Sequence, residues 1–507
     1  MGMIEAITQR LPSIAEPKTH LSFKQRLKWT GIVLFLFMIL SQIVLYGVAP
    51  VTKERFQFFE LVLGSSMGSL LTLGIGPIVT ASIILQLLVG SKIIPWDIRS
   101  EAGKKKFQGV QKLAVIFFCV FEAFAYVNFG AIQPSSPDPT LFALLIIQIA
   151  FGGFLVLLMD EVISKWGIGS GVSLFIAAGV TKTIFVRAFN PLTPAGETVP
   201  AGLLPQFIVL IGLGEIFQAF VALVPIIATI VVFLIAIYVQ AIKVEIPLAF
   251  GSIRGFSRRW PLNLLYTSNI PVILIAALIA NLQLLGNLSA RAVDEAGQRC
   301  GLFGCFDANG QAQSGIALFL QNPTSLPVQL FFLTIITVVF LAAFSAFYLK
   351  YKNPTRIVLG SIIVGIVLGF LVSGFTVGLP TGEDAARALV YMLILVGGSV
   401  VFSVFWTATS GMDAKSVAEQ IEGMGMNIPG FRRDPRIVEE VLQRYIPTIT
   451  ILSGLFIGLL ASVADFTGAL GTGTGILLTV MIVYNLYESI AARYMEDMNP
   501  ALRKFFS

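Results

Sequence analysis

A helix needs about 20 predominantly apolar residues to cross the hydrocarbon of a bilayer, and stretches of that length recur along the entire chain. Candidate spans lie at approximately 28–48, 70–91, 113–131, 140–160, 170–188, 217–242, 268–287, 327–350, 355–378, 388–408, 446–466 and 474–492. Hydrophobic residues make up 56% of the 507 residues and charged ones only 12%, far from the balance of a soluble domain. In hydrocarbon each backbone N–H and C=O must be paired within its own segment, so such spans fold as helices. The expected fold class is an all-α polytopic membrane protein with about twelve spans.

Orientation follows from the basic residues, which favour cytoplasmic loops. With the N-terminus in the cytoplasm and the spans alternating, 27 of the 34 Lys and Arg fall on the cytoplasmic side. Arg10, Lys18, Lys24, Arg26 and Lys28 precede the first span with no small-residue cleavage site after it. That span is expected to stay as an anchor. Both termini, 1–27 and 493–507, are then cytoplasmic.

One span is interrupted. Phe56–Leu63 is apolar but too short to cross, and it stops at Gly64-Ser65-Ser66-Met67-Gly68-Ser69 before the apolar run resumes from Leu70. A broken helix leaves backbone groups that lipid does not satisfy, so the break must lie inside protein or line a watery cavity. Phe56–Met67 is expected to be a small helix folded back into a pore made by the rest of the chain.

Chemistry-bearing residues are few. Glu122 sits near mid-depth of the third span; a carboxylate there is either a satisfied interhelical hydrogen-bond partner or part of a mechanism. Asp160-Glu161, at the cytoplasmic end of span four, reads as an ordinary solvated end. Ser164-Lys-Trp-Gly-Ile-Gly-Ser-Gly171 opens a helix with glycines, but no Gly-Lys-Ser/Thr follows, so tight turning and close packing explain it better than phosphate binding. Cys119 reads as a small core residue, whereas Cys300 and Cys305 share an outer loop where a disulfide is an option. The single histidine, His20, lies outside the spans. No metal cluster, nucleophile–base pair or P-loop is legible, so neither a cofactor nor an enzymatic activity is expected.

The Pro/Gly-rich connection 189–216 divides the chain into a half of five spans, 28–188, and a second half, 217–492, that begins on the opposite side. Inverted halves of this kind place a path at their interface. Two cytoplasmic loops, 243–267 and 409–445, are longer than a turn requires. They carry Arg254, Arg258, Arg259 and Trp260 in one and Arg432, Arg433 and Arg436 in the other, which suits either topology setting or docking of an anionic partner such as RNA.

Leu73-Gly-Ile-Gly-Pro-Ile-Val-Thr-Ala-Ser-Ile-Ile-Leu-Gln-Leu-Leu-Val-Gly90 resembles the second transmembrane helix of the SecY family. Ser164–Gly171, Tyr266-Thr-Ser-Asn-Ile-Pro271, Arg444-Tyr-Ile-Pro447 and Ala464-Asp-Phe-Thr-Gly-Ala-Leu-Gly-Thr-Gly-Thr-Gly-Ile-Leu-Leu478 resemble further motifs of that family, in family order along nearly the whole chain. Their wording is closest to the archaeal and eukaryotic-type α-subunit. The resemblance implies a central protein-conducting channel of the cell membrane, with ten core helices in two inverted five-helix halves. It passes nascent polypeptides and releases hydrophobic segments sideways through a lateral gate between core helices two and seven.

The same resemblance assigns residues. Ile75, Val79, Val172, Ile176, Ile273 and Leu478 would form an aliphatic pore ring, which blocks ions at rest by dewetting. Thr80, Glu122 and Asn281, with Gln86 as a looser candidate, would form a polar cluster at the gate. The plug would be 56–67, including Phe59, Leu61, Val62, Leu63 and Met67. Arg254, Arg258, Arg259, Arg432 and Arg433 would dock the ribosome, and a SecE-type subunit and a single-span β-type subunit would complete the complex.

One departure from the family pattern is an extra pair of spans at about 327–378. An even insertion preserves every later orientation, and Lys350, Lys352 and Arg356 put its turn in the cytoplasm. It reads as a peripheral, lipid-facing hairpin. A coupled transporter is the main competing class, since it also uses inverted repeats and broken helices. Against it, Glu122 reads as the only deep carboxylate, with no second buried acid or base to supply a relay.

Overall fold

The computed structural model describes residues 12–498 except 20, 50–65, 91–92, 97–100, 129–131, 194–197, 241, 251–256, 264–266, 268–269, 291, 294–297, 308–311, 324, 350–353, 424–425 and 428–434. Among them, helices occupy the position of every candidate span. They are α1 (Phe23–Leu40), α2 (Gly76–Gly90), α3 (Glu101–Asn128), α4 (Pro139–Trp166), α5 (Gly171–Phe189), α7 (Ile216–Gln240), α8 (Ile270–Ser289), α10 (Leu326–Tyr348), α11 (Pro354–Thr376), α12 (Gly382–Thr409), α14 (Pro435–Phe466) and α15 (Gly473–Met498). Ten are long and apolar enough to cross a membrane; α1 carries Lys24, Arg26 and Lys28 in its first turns and α2 is short. Shorter helices α6 (Leu203–Gly212), α9 (Ile316–Phe319) and α13 (Ala414–Gly423) lie in the connections.

The all-helical expectation holds in the bundle and fails in the loops. Strand β1 (Lys243–Phe250) pairs antiparallel with β2 (Ser257–Asn263) and, at Ala249 and Phe250, with β6 (Met426–Asn427). The two long basic loops thus share one three-stranded sheet. On the other side, β3 (Ala292–Val293), β4 (Arg299–Gly301) and β5 (Gly304–Phe306) form a small sheet whose last two strands are joined by a Cys300–Cys305 disulfide. These strands are two to eight residues long; Val244, Ile246, Leu248 and Phe250 alternate through β1 with a strand's period of two, whereas strands of two or three residues are too short to show one.

Helix packing relies on small residues, as lipid-embedded interfaces do. Gly454 and Gly458 of α14 leave no room for a Cβ: one would meet Val400 Cα at 2.8 Å and the other Val396 Cα at 2.7 Å. Opposite them on α12 lie Ser399, Ser403 and Thr407, one turn apart and buried. The hydroxyl of Thr267, from the turn before α8, inserts between the two helices, 3.2 Å from Ser403 Oγ and 3.0 Å from Ser453 Oγ. The base of the 243–267 loop is pinned there to the C-terminal half.

The extra hairpin is α10–α11. Helix α10 packs on α7 and α14, and α11 packs on α10. Along α11 the buried positions are Ser361, Gly365, Gly369 and Ser373, each four residues apart, and the intervening side chains face outward. A Cβ at Gly369 would meet Phe331 Cδ2 at 2.9 Å and its carbonyl oxygen at 3.0 Å, whereas Gly360 has open space. Gly369→Leu should therefore destabilise the hairpin by about 1–3 kcal/mol, while Gly360→Leu leaves it unchanged. Unfolding in detergent with a fluorescent reporter on α11 measures both; equal effects would contradict the packing.

Candidate functional site

The interrupted stretch is the starting point. Helix α1 ends at Leu40, and residues 41–49 run as extended chain and turns, with isolated bridges Val44–Ser69 and Val48–Pro134. Their backbone groups are paired: Leu45 N donates to Gly68 O at 3.0 Å, Leu70 N to Ile43 O at 2.8 Å, and Ala49 N to Gln133 O at 2.8 Å. Residues 66–75 form a succession of turns instead of continuing the helix, with Leu71, Thr72, Leu73 and Ile75 wholly buried. Gly152 of α4 makes this close approach fit, because a Cβ there would lie 1.7 Å from Leu70 O. The break lies inside protein, as the backbone argument requires. Met67 is buried in a turn; Phe59, Leu61, Val62 and Leu63 lie outside the described residues.

The break ends where α2 begins. Ile75, Val79, Ile176, Ile273 and Leu478 are all buried in the apolar core that runs through the whole bundle, and Val172 packs against that core half-buried. They come from the start of α2, from α5, from α8 and from α15. Helix α2 packs on α8 and α12, and α15 packs on α5, so residues about 400 positions apart in sequence share one core.

A polar chain lies beside this cluster. Asn281 Nδ2 of α8 donates to Thr80 Oγ1 of α2 at 3.4 Å, and the Glu122 carboxyl of α3 lies near the Thr80 hydroxyl. One hydroxyl thus joins α2 to α8. Gln86 does not join it. Six residues along α2 turn it about 240° from Thr80, and its buried Oε1 has no hydrogen-bond partner.

The carboxylate count also needs correction. Asp160 is no solvated end: its Oδ1 accepts the Val172 amide at 2.9 Å, capping α5. Glu161 is ion-paired with Lys112 and accepts the Ile14 amide at 2.9 Å. Asp465 is 3% exposed and holds Tyr391 Oη at 2.8 Å and the Thr474 amide at 2.7 Å. Glu122 is therefore not the only deep carboxylate, although Asp160 and Asp465 are engaged in caps. Sequence distance hides such caps, since nothing local marks a carboxylate whose target lies nine or twelve residues onward.

Of the cytoplasmic arginines, Arg258 and Arg259 lie on β2, opposite Leu248 and Pro247 of β1. Arg254, Arg432 and Arg433 lie outside the described residues. Among the described residues no group of three or more His, Cys, Asp or Glu is placed to hold a metal.

The SecY family model matches residues 69–487 of this chain. The chain is 42% identical to the protein translocase subunit SecY of Methanothermobacter thermautotrophicus, over 99% of this chain and 98% of that one. Among solved structures it resembles a SecY protein whose plug domain stabilises the closed state of the translocation channel, at 38% identity, 99% coverage of both chains and a TM-score of 0.76. It also resembles Sec61 in a canine ribosome–channel complex from the endoplasmic reticulum, at 38% identity, 99% coverage of both chains and a TM-score of 0.74.

The Thr80 chain makes a direct prediction. A double-mutant cycle of Thr80→Val with Asn281→Leu, read by thermal unfolding, should give a coupling of about 0.5–1.5 kcal/mol. Additive effects would contradict a bond between α2 and α8.

Proposed function

The chain belongs to the SecY family, and we propose that it is the channel-forming subunit of a protein translocase, passing nascent polypeptides across the membrane and releasing hydrophobic segments into lipid. The observation that carries this reading is the Asn281–Thr80 bond between α2 and α8, one residue from Val79 in the buried apolar core.

The physical roles follow from that arrangement. Ile75, Val79, Val172, Ile176, Ile273 and Leu478 form the pore ring. Aliphatic side chains offer ions no ligands and exclude water at rest, yet they yield around a passing chain because their contacts are non-directional. Thr80, Asn281 and Glu122 hold the lateral gate shut between α2 and α8. A hydrophobic segment in the pore competes with those bonds, and its partition into lipid follows per-residue insertion energies. Segment 56–67, with Phe59, Leu61, Val62, Leu63 and Met67, is the plug. Burial of Met67 in the turns before α2 supports this reading.

The chain is a passive pore and not an enzyme, so the driving force comes from a partner such as the elongating ribosome. The ribosome docks on loops 243–267 and 409–445 through Arg254, Arg258, Arg259, Arg432 and Arg433. Their union in one sheet through β1 and β6 supports a single docking platform. A SecE-type subunit and a single-span β-type subunit complete the complex. The two halves are 28–188 and 217–492, joined by 189–216. The protein sits in the cell membrane with both termini cytoplasmic.

Two measurements test this. Proteoliposomes holding the purified complex should protect a ribosome-delivered secretory chain from protease; failure with an assembled complex would sink the channel reading. The double charge reversal Arg254→Glu, Arg432→Glu should weaken ribosome binding about tenfold or more, with a shallower salt dependence. Unchanged affinity at moderate salt would remove these loops as the docking surface.

A further inference from the structure

The α4–α5 and α14–α15 junctions are built alike, residue by residue. Ile168-Gly169-Ser170-Gly171-Val172 leads into α5, and Leu470-Gly471-Thr472-Gly473-Thr474 leads into α15, each pair separated by the same 302 residues. Gly169 and Gly471 both adopt the left-handed region, at φ of 83° and 78°. Gly171 and Gly473 both open a helix where a Cβ has no room: it would meet Asp160 Cα at 2.7 Å in one and Ala464 C at 1.9 Å in the other. The separation that aligns the junctions also aligns Ile176 with Leu478.

The hydrogen bonds match as well. Val172 N donates to Asp160 Oδ1 at 2.9 Å, and Thr474 N donates to Asp465 Oδ1 at 2.7 Å. Upstream, Ile168 N donates to Thr30 Oγ1 of α1 at 3.0 Å, and Leu470 N donates to Thr229 Oγ1 of α7 at 2.9 Å. Each threonine hydroxyl in turn donates to the carbonyl four residues back on its own helix, Arg26 O at 3.0 Å and Pro225 O at 2.6 Å. Helices α1 and α7 open the two inverted halves, so all four polar partners are related as the halves are. The junction residues keep one register, but the carboxylates do not, since Asp160 lies twelve residues before its amide and Asp465 nine.

We propose that Asp160 with Thr30, and Asp465 with Thr229, form two matched clasps that set the depth and rotation of the pore-ring residues Ile176 and Leu478. The inference rests on the channel reading above and adds positioning residues to it. Each clasp holds an early amide of its helix; the start of α15 is buried, where an unpaired N–H is costly, whereas Gly169 and Ser170 ahead of α5 are exposed. The carboxylate fixes the helix end axially; the threonine fixes the turn before it against the first helix of its own half. Ile176 lies five residues past Gly171 and Leu478 five past Gly473, about one and a half turns onward, so a slip at the clasp moves each ring side chain directly. The C-terminal clasp is the tighter one. Tyr391 Oη and Thr474 Oγ1 add to Asp465, and Thr472 is held at a φ of 63°, a strained conformation for a β-branched residue.

Resting ion conductance of the purified complex in planar bilayers, with and without a signal peptide, is the readout, together with amide hydrogen exchange over 171–176 and 473–478. Asp160→Ala, Asp465→Ala, Thr30→Val and Thr229→Val should each speed exchange in the helix they clasp. Each should raise resting conductance about tenfold, the factor that 1.4 kcal/mol of lost closure represents. Asp138→Ala, which removes a cap from α4 where no ring residue sits, should leave conductance at the wild-type value. Faster exchange with unchanged conductance would overturn the positioning role, as would an equal rise in Asp138→Ala. If Asp465→Ala does not assemble, Thr229→Val decides for that clasp, since it removes one acceptor and keeps the cap. A wild-type complex with no peptide-dependent conductance would refute the channel reading itself, a result distinct from loss of the clasp effect alone.

Discussion

Hydrocarbon leaves no backbone hydrogen bond to solvent, and this chain breaks its helices in several places. Every break must therefore find partners within the bundle. Leu45 and Leu70 pair with the facing segment, Ile168 and Leu470 with threonine hydroxyls, and Val172 and Thr474 with carboxylates. The broken ends at Ile75–Gly76, Gly171 and Gly473 are also where α2, α5 and α15 present Ile75, Val79, Ile176 and Leu478 to one apolar cluster. Satisfying the backbone and closing the path are one structural problem with one solution.

The solution separates rigid and separable contacts. Within the C-terminal half, Gly454 and Gly458 draw α14 against the serines of α12, and buried hydroxyls around Thr267 tie in the base of α8. Between the halves, α2 meets α8 through aliphatic surface and one bond through Thr80. Non-directional contacts re-form after separation and a single hydroxyl bond is modest in strength, so the seam between halves is the weaker boundary. A channel that opens sideways needs that asymmetry.

Span positions, the inverted halves and the inserted hairpin were legible in the sequence, because hydropathy over 20 residues and loop charge are physically decisive in a membrane. The α11 stripe of Ser361, Gly365, Gly369 and Ser373 was equally readable, being a fixed four-residue period. The β1–β2–β6 sheet was legible only in the alternation of Val244, Ile246, Leu248 and Phe250 along β1; its pairing with β6, 163 residues beyond Asn263, leaves no local mark. Asp160 was misread because its partner amide is brought to it by a turn and not by helical spacing. The family motifs pointed to Thr80, Glu122, Asn281 and Gln86, of which the structure bonds Asn281 to Thr80, while the helical turn carries Gln86 away. The repeat of Ile168–Val172 in Leu470–Thr474 rests on shared bonding and backbone shape at only five positions, too few identities to stand out in sequence.

The central claim is that the aliphatic cluster is the path of the translocating chain. A photo-crosslinking residue placed in turn at Ile75, Ile176, Ile273 and Leu478, and at Phe375 and Leu359 on the exposed face of α11, tests it with a secretory chain arrested midway. The account predicts adducts to the arrested chain from the four cluster positions and none from α11. Adducts of equal yield from α11, or none from the cluster, would contradict it.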